Sequence, residues 1–162
     1  MPPPLYLDPA TLDFDAIVAD KEAIRRHNPQ RYEMEQLDAI VYIDEPNQLV
    51  AGYKDIREDE FWVRGHMPGY PLMPGVLMCE AAAQLCSYFV CTHGLQAGDF
   101  MGFGGMENVR FRSPVHPGDR LVLVGKGKRV KSRQMIFDVQ GFVGTTMVFH
   151  AEVIGMAMVR GE

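Results

Sequence analysis

The chain has 162 residues, of which 47% are hydrophobic and 23% are charged, and its formal net charge is −5. This composition excludes a disordered, collagenous or coiled-coil chain, and the length suits one domain whose core is stable without disulfides. The three cysteines are clustered in one apolar segment, which excludes a disulfide framework and favours a reducing, cytoplasmic compartment.

The N-terminal region divides into a tail and the start of a domain. Proline-rich residues 1–12 are predicted to form a flexible N-terminal tail, and residues 13–162 a single domain. Apolar residues at helical spacing predict a helix over residues 13–27, which ends at Asn28 before a proline. The β-branched and aromatic segments 37–43 and 49–56 flank turn residues and predict a hairpin.

One long helix is predicted from about residue 74 to residue 92. The apolar run around it is long enough for a membrane span, but Glu80 and Gln84 lie in its middle and prolines at its start. We therefore expect a buried helix of a soluble protein and no membrane partner.

Strands are predicted beyond Gly94, which ends this helix. They cover residues 100–111, 120–130, 134–143 and 145–159, with turn residues between them. A helix that is apolar nearly all round, followed by hairpin-linked strands, predicts an α+β fold in which an antiparallel sheet wraps around one central helix.

Residues 64–84 combine three groups that suit acid–base chemistry. His66 lies in a loop and could act as a base, and Gly75 opens the helix with a backbone N–H that could polarise a carbonyl. Glu80 has apolar neighbours, so we expect burial to raise its pKa towards that of an acid at neutral pH. Gln84 lies one turn further on and could hydrogen-bond that carboxyl group. The combination favours β-elimination of water, although a surface histidine, a helix-start glycine and a partnered glutamate are the ordinary alternatives.

The same segment carries a resemblance to a known family. Residues 65–84 read Gly-His-x-Pro-x-x-Pro-x-Met-Pro-Gly-Val-Leu-x-x-Glu-Ala-x-Ala-Gln, and residues 111–119 read Phe-Arg-x-Pro-Val-x-Pro-Gly-Asp. Both patterns, in this order and spacing, resemble the β-hydroxyacyl-acyl-carrier-protein dehydratases of fatty-acid synthesis, and the resemblance extends over roughly residues 20–160.

This resemblance implies a hot-dog fold and a role for each matching residue. It makes His66 the catalytic base, Glu80 the acid, Gly75 the backbone donor to the thioester carbonyl and Gln84 the support of Glu80. It implies no cofactor and no metal. It further implies a homodimer with active sites shared between subunits, or a hexamer of three such dimers. Glutamate rather than aspartate at position 80 resembles the branch that dehydrates without isomerising the double bond.

The chain departs from the family pattern in two places. Met67 stands where the family usually has phenylalanine, which could reshape the pocket. Residues 31–38 begin like the family's Arg-Tyr-Pro-Phe-Leu-Leu-Val-Asp segment but carry glutamates and a glutamine in place of its apolar centre. This change puts the local packing and the natural substrate in question, and the N-terminal extension is also atypical.

Charge and aromatic residues suggest where a carrier protein and an acyl chain would bind. Residues 110–133 contain eight lysines and arginines and one acidic residue, whereas residues 1–60 are acidic. A basic stretch suits an acidic acyl carrier protein, or it is simply a solvated strand face. The candidates for carrier binding are Arg110, Arg112, Lys126, Lys128 and Arg129. The candidates for an apolar acyl tunnel are Phe100, Met101 and Phe103, for each of which core packing is the alternative.

Other functions find less support in the sequence. The cysteines and His93 match no zinc spacing, the glycine-rich segments match neither a dinucleotide fingerprint nor a phosphate loop, and no nucleic-acid-binding module is recognisable. Two alternatives stay open. One is another hot-dog acyl-thioester enzyme, either a thioesterase or a dehydratase of a different pathway, and the other is a non-catalytic acyl-carrier-binding subunit.

Overall fold

The computed structural model describes residues 1–161, over which the chain forms two α-helices and six strands. In chain order these are α1 (Lys21–Arg25), β1 (Ala39–Asp44), β2 (Leu49–Asp55), α2 (Gly75–Thr92), β3 (Phe100–Phe111), β4 (Arg120–Lys131), β5 (Gln134–Val143) and β6 (Thr146–Met158). Every strand predicted from the sequence forms, with boundaries within two residues of the prediction.

The six strands build one antiparallel sheet in the order β1-β2-β4-β5-β6-β3. Helix α2 lies against one face of this sheet, called the inner face here, and contacts β2 to β6. The predicted architecture, an antiparallel sheet wrapped around one long helix, is confirmed.

The core fills the space between α2 and the inner face. Leu85, Cys86 and Phe89 of the helix are at most 1% exposed. A Cβ on Gly52 of β2 would lie 3.2 Å from Leu85 Cδ1, so the missing side chain lets the helix approach the sheet closely. By length and composition α2 could cross a membrane, but 61% of its residues in that window are buried inside the fold. It is the core helix of this domain.

The first helix is shorter than predicted. Only Lys21–Arg25 is α-helical, and the Asp20 side chain caps it by accepting a hydrogen bond from the Ala23 N–H. The residues before it form turns, in which the Ala16 N–H donates to the Asp13 carbonyl, and the Val18 and Ala19 N–H groups then donate to the carbonyl of Ile40 in β1. The prediction of a helix from residue 13 is therefore wrong, since pairing with β1 outweighs the helical spacing of the apolar residues.

Residues of the N-terminal segment lie over the outer face of the sheet, opposite α2. Leu7, Leu12 and Phe14 pack around a cluster formed by Ala51, Val122, Val124 and Phe142. Tyr6 donates a hydrogen bond to Asp138 of β5 at 2.6 Å. The flexibility predicted for residues 1–12 stays a prediction.

Strand β3 lies at one edge of the sheet. It pairs with β6 on one side, and within residues 1–161 no strand pairs with its other side. Phe103 and Phe111 on this strand are 54% and 52% exposed. A long edge strand with exposed aromatic residues is a surface that proteins usually cover with another element or another chain.

Candidate active site

His66 lies in the loop between β2 and α2, and backbone hydrogen bonds hold it in place. Its N–H donates to the carbonyl of the buried Trp62 at 2.8 Å, and its own carbonyl accepts from the Leu72 N–H at 2.9 Å. The Leu72 carbonyl lies 2.8 Å from His66 Nδ1. Because a carbonyl can only accept, Nδ1 carries the proton in the neutral ring, and Nε2 keeps a free lone pair. This tautomer is the one that a base requires.

Gly75 is the first residue of α2, directly after Pro74. Its N–H lies ahead of the first hydrogen bond of this helix, which the Leu77 N–H donates to the Pro74 carbonyl at 2.9 Å, and the helix dipole adds positive charge at this end. A Cβ on Gly75 would lie 2.7 to 3.0 Å from the ring of Phe111. Glycine is therefore required for the edge strand β3 to pack against the start of the helix.

Glu80 is half-buried on α2, and Gln84 fixes the position of its carboxyl group. Gln84 Nε2 donates to Glu80 Oε1 at 2.7 Å and to the Met34 carbonyl at 2.6 Å. Gln84 Oε1 accepts from the Gln36 N–H at 3.0 Å, which determines which end of the amide faces Glu80. Glu80 Oε2 is thus left for a ligand. The expected support of Glu80 by Gln84 is present in the structure, and the protonation state of Glu80 stays a prediction.

The segment that departs from the family pattern supplies this support through its backbone. The groups that meet Gln84 are the carbonyl of Met34 and the N–H of Gln36. The Tyr32 and Met34 side chains are exposed, and Glu35 forms an ion pair with Arg25 at 2.7 Å. Because backbone atoms make the contacts, polar side chains here leave the support of Glu80 intact.

Glu80 borders a small cavity of about 40 Å³ between α2 and the strands β3, β5 and β6. Its other lining residues are Gln30, Ala83, Ser87, Met101, Gly102, Phe103, Met135, Val153, Ile154 and Gly155. The wall is mostly apolar. His66 and Gly75 do not line this cavity, so in a single chain His66 and Glu80 are not brought to one pocket.

The structure separates the predicted tunnel residues. Met101 and Phe103 line the cavity beside Glu80. Phe100 instead lines a polar groove with Arg26, Arg31 and Arg160. The roles of all three in acyl binding stay predictions.

The predicted carrier-binding residues are also divided between surfaces. Arg110 and Arg112 are exposed near the end of β3, and Arg129 is exposed on β4. Lys128 is paired with Asp138 at 3.6 Å and with Glu152, and Lys126 donates to the Asn47 carbonyl. Lys128 therefore has less of its charge available to a partner than the other four residues, because within the described residues it alone of the five is paired with carboxylates.

Two features of the site were missed from the sequence. One is the cavity residue Gln30. The other is the buried ion pair between Lys54 of β2 and Glu60 at the start of the His66 loop, with Nζ and Oε1 3.1 Å apart. Neither has a local sequence signal, because their burial arises only when distant segments pack together. Lys54 and Glu60 themselves lie six positions apart in the chain.

The three cysteines are free thiols on α2. Burial raises the pKa of each of them, most strongly for Cys86, which is fully buried. A buried thiol with a raised pKa is a poor nucleophile and a packing residue.

The antiparallel sheet wrapped around one long helix defines a hot-dog fold. The chain belongs to the FabA-like domain family, whose model matches residues 28–152. It is 35% identical over 128 residues to the 3-hydroxyacyl-(acyl-carrier-protein) dehydratase FabZ of Desulfotalea psychrophila, covering 78% of this chain and 85% of the relative. It is 36% identical over 144 residues to the dehydratase of the same name from Acinetobacter baylyi, covering 83% and 92%.

Solved structures agree on the fold. A dehydratase heterocomplex, ApeI:P from Xenorhabdus doucetiae, superposes with a TM-score of 0.71 at 14% identity over 83% of this chain and 90% of that chain. A sigma28-regulated virulence protein from Campylobacter jejuni gives 0.66 at 15% identity, over 91% and 94%. The PaaI protein from the phenylacetic acid degradation operon of Escherichia coli gives 0.56 at 14% identity, over 72% and 80%.

Proposed function

We propose that this chain is a (3R)-hydroxyacyl-acyl-carrier-protein dehydratase of fatty-acid biosynthesis, which eliminates water to give a trans-2-enoyl thioester. The observation that carries the proposal is the hydrogen-bonded placement of its two acid–base groups. His66 has its free lone pair on Nε2, and Glu80 has one oxygen held by Gln84 and the other free. The relatives at about 35% identity carry the name of this activity.

The proposed reaction uses each group once. The Gly75 N–H donates to the thioester carbonyl as negative charge develops on its oxygen. His66 Nε2 removes a proton from C2, and that electron pair forms the C2–C3 double bond as the C3–O bond breaks. Glu80 gives its proton to the departing hydroxyl, which leaves as water. No cofactor takes part in these steps.

Two copies of the chain are proposed to share each active site. His66 and Gly75 do not line the cavity beside Glu80, and the exposed edge strand β3 runs next to both regions. A second copy placed along β3 would cover Phe103 and Phe111 and bring its own His66 to the Glu80 of the first chain. A homodimer, or three such dimers, is thus the proposed assembly, with the cytoplasm as its location.

A hydration assay tests the proposed function. The purified protein should add water to a crotonyl thioester, so that the absorbance of the conjugated enoyl group decreases without release of free thiol. His66→Ala and Glu80→Gln should each lower kcat/KM by roughly 10²- to 10⁴-fold. Release of thiol would identify a thioesterase instead, and carrier binding without any turnover would identify a binding subunit.

Subunit mixing tests the shared site. Co-expression of differently tagged His66→Ala and Glu80→Gln chains gives a mixed dimer with one intact site if the residues come from different subunits. Random pairing should then restore about a quarter of the wild-type activity. A site formed within one chain would leave every mixture inactive.

Carrier recognition is proposed to depend on Arg110 and Arg112, which are exposed beside the edge strand. Charge reversal with Arg110→Glu should raise KM for an acyl-carrier-protein substrate but not for a pantetheine thioester, because only the carrier is an acidic protein. Lys128→Glu is the matched control, since this lysine is already paired with acidic side chains.

A further inference from the structure

Gln30 carries an unpaired hydrogen-bond acceptor beside Glu80. It lies between α1 and β1 and lines the cavity that Glu80 borders. Its Oε1 atom is buried and has no hydrogen-bond partner within residues 1–161. Buried acceptors are rarely left unpaired in folded proteins, so one in a substrate cavity indicates a ligand donor.

The backbone around Gln30 is fixed to the same network as Glu80. Arg31 Nη1 donates to the carbonyls of Asn28 and Gln30, at 2.8 and 2.7 Å. Asn28 Nδ2 donates to the Gln84 carbonyl at 3.0 Å, and Gln84 in turn holds Glu80. The backbone of Gln30 and the carboxyl group of Glu80 are thus held in one network before any substrate binds.

Few ligand groups can satisfy this acceptor. Besides Gln30 and Glu80, Ser87 is the one residue lining the cavity, in the part of the chain that the structure describes, that has a polar side chain. Its hydroxyl lies two turns further along α2, 3.8 Å from Cys91 Sγ. An acyl chain offers no donor, and a thioester offers only acceptors. The 3-hydroxyl group of the substrate is a donor, and in the proposed reaction it lies next to Glu80.

We propose that Gln30 Oε1 binds the 3-hydroxyl group of the substrate, a role that rests on the proposed dehydratase function. The hydroxyl hydrogen is donated to Gln30, which directs an oxygen lone pair towards the proton of Glu80. After the C3–O bond breaks, the hydroxyl oxygen carries this hydrogen and the proton from Glu80 and leaves as water. Gln30 is thus a substrate-binding residue that distinguishes hydroxyacyl from saturated acyl chains.

A pair of ligands that differ by one hydroxyl group tests the proposal. In a His66→Ala background, which suppresses turnover, the dissociation constants of (3R)-3-hydroxybutyryl-pantetheine and butyryl-pantetheine are measured by calorimetry. Gln30→Met, a substitution of similar size without a strong acceptor, should lower the preference for the hydroxylated ligand by about five- to tenfold. Affinity for the butyryl ligand should change less than about twofold.

Gln96→Met is the matched control, because Gln96 Oε1 is also buried without a partner but does not line the cavity. It should leave both dissociation constants unchanged. An unchanged preference in Gln30→Met, or equal losses for both ligands, would overturn the role of Gln30. If the wild-type protein hydrates crotonyl thioester in the same preparations, such a result counts against Gln30 alone and not against the dehydratase function.

Discussion

The buried ion pair at the start of the His66 loop yields a quantitative prediction. Lys54 and Glu60 have side chains only 3% and 5% exposed, and the Nζ–Oε1 distance is 3.1 Å. The same Glu60 oxygen accepts the Arg57 N–H at 3.3 Å, and the Glu60 carbonyl accepts the Val63 N–H. The pair thus ties the start of the loop to the end of β2, whose last residue, Asp55, directly follows Lys54.

Removal of one partner should be costly. Lys54→Met leaves the Glu60 carboxylate buried without a counter-charge, which typically costs about 3–5 kcal/mol of unfolding free energy. For a chain of this length that loss corresponds to a decrease in Tm of roughly 6–20 °C. Lys54→Met combined with Glu60→Gln should cost less than Lys54→Met alone, because the amide is neutral and its oxygen still accepts the Arg57 N–H.

Urea denaturation at one fixed protein concentration measures these differences. Asp59→Asn is the control in the same loop, because Arg57 and Asp59 are 55% and 79% exposed and their ion pair should contribute less than about 1 kcal/mol. If the double variant is no more stable than Lys54→Met, the cost does not arise from an uncompensated charge, and the reasoning is refuted.

Three further predictions concern the rest of the fold. Gly52→Ala should destabilise the protein by about 1–3 kcal/mol in urea denaturation, because the new Cβ would lie 2.6 Å from a backbone oxygen of β1. The hydrogen bond from Arg25 lowers the pKa of Glu35 in the folded protein. The ion pair therefore stabilises the fold fully at pH values above the pKa of Glu35 in the unfolded chain. This stabilisation is lost as the pH falls through the lower pKa of Glu35 in the folded protein. The stability difference between wild type and Glu35→Gln should therefore be constant at neutral pH and shrink below about pH 4, and a pH-independent difference would contradict this. In the native protein a maleimide should label the half-buried Cys79 well before the fully buried Cys86. Peptide mass spectrometry measures the two labelling rates. Equal rates would contradict the prediction and show that α2 opens.

The elements of the fold could be predicted because their signals are local. Alternation of apolar residues, turn residues between strands and the apolar run of α2 each lie within a few residues of the element that they specify. The residues of the candidate site could be predicted from the sequence for the same reason. His66, Gly75, Glu80 and Gln84 lie within nineteen residues, and the contact of Gln84 with Glu80 joins residues one helical turn apart.

The errors and omissions arise where distant segments meet. The helix predicted from residue 13 is replaced by turns and a bridge to β1, because β1, some twenty residues further on, supplies the hydrogen-bond partner of Val18 and Ala19. The departures in residues 31–38 looked disruptive in the sequence. Their effect on the site is small because the contacts with Gln84 come from backbone atoms, whose chemistry does not depend on the side chains.

The sequence by itself therefore determined the strands, the central helix and the residue types of an acid–base site. Tertiary structure alone decided which polar groups are buried together. Lys54 looks like an exposed strand lysine and Gln30 like a loop residue, yet one pairs with Glu60 inside the fold and the other faces the Glu80 cavity. Hydrophobic periodicity specifies which face of an element is buried, but the burial of a polar side chain on a strand or in a loop is set by the packing of segments far apart in the chain.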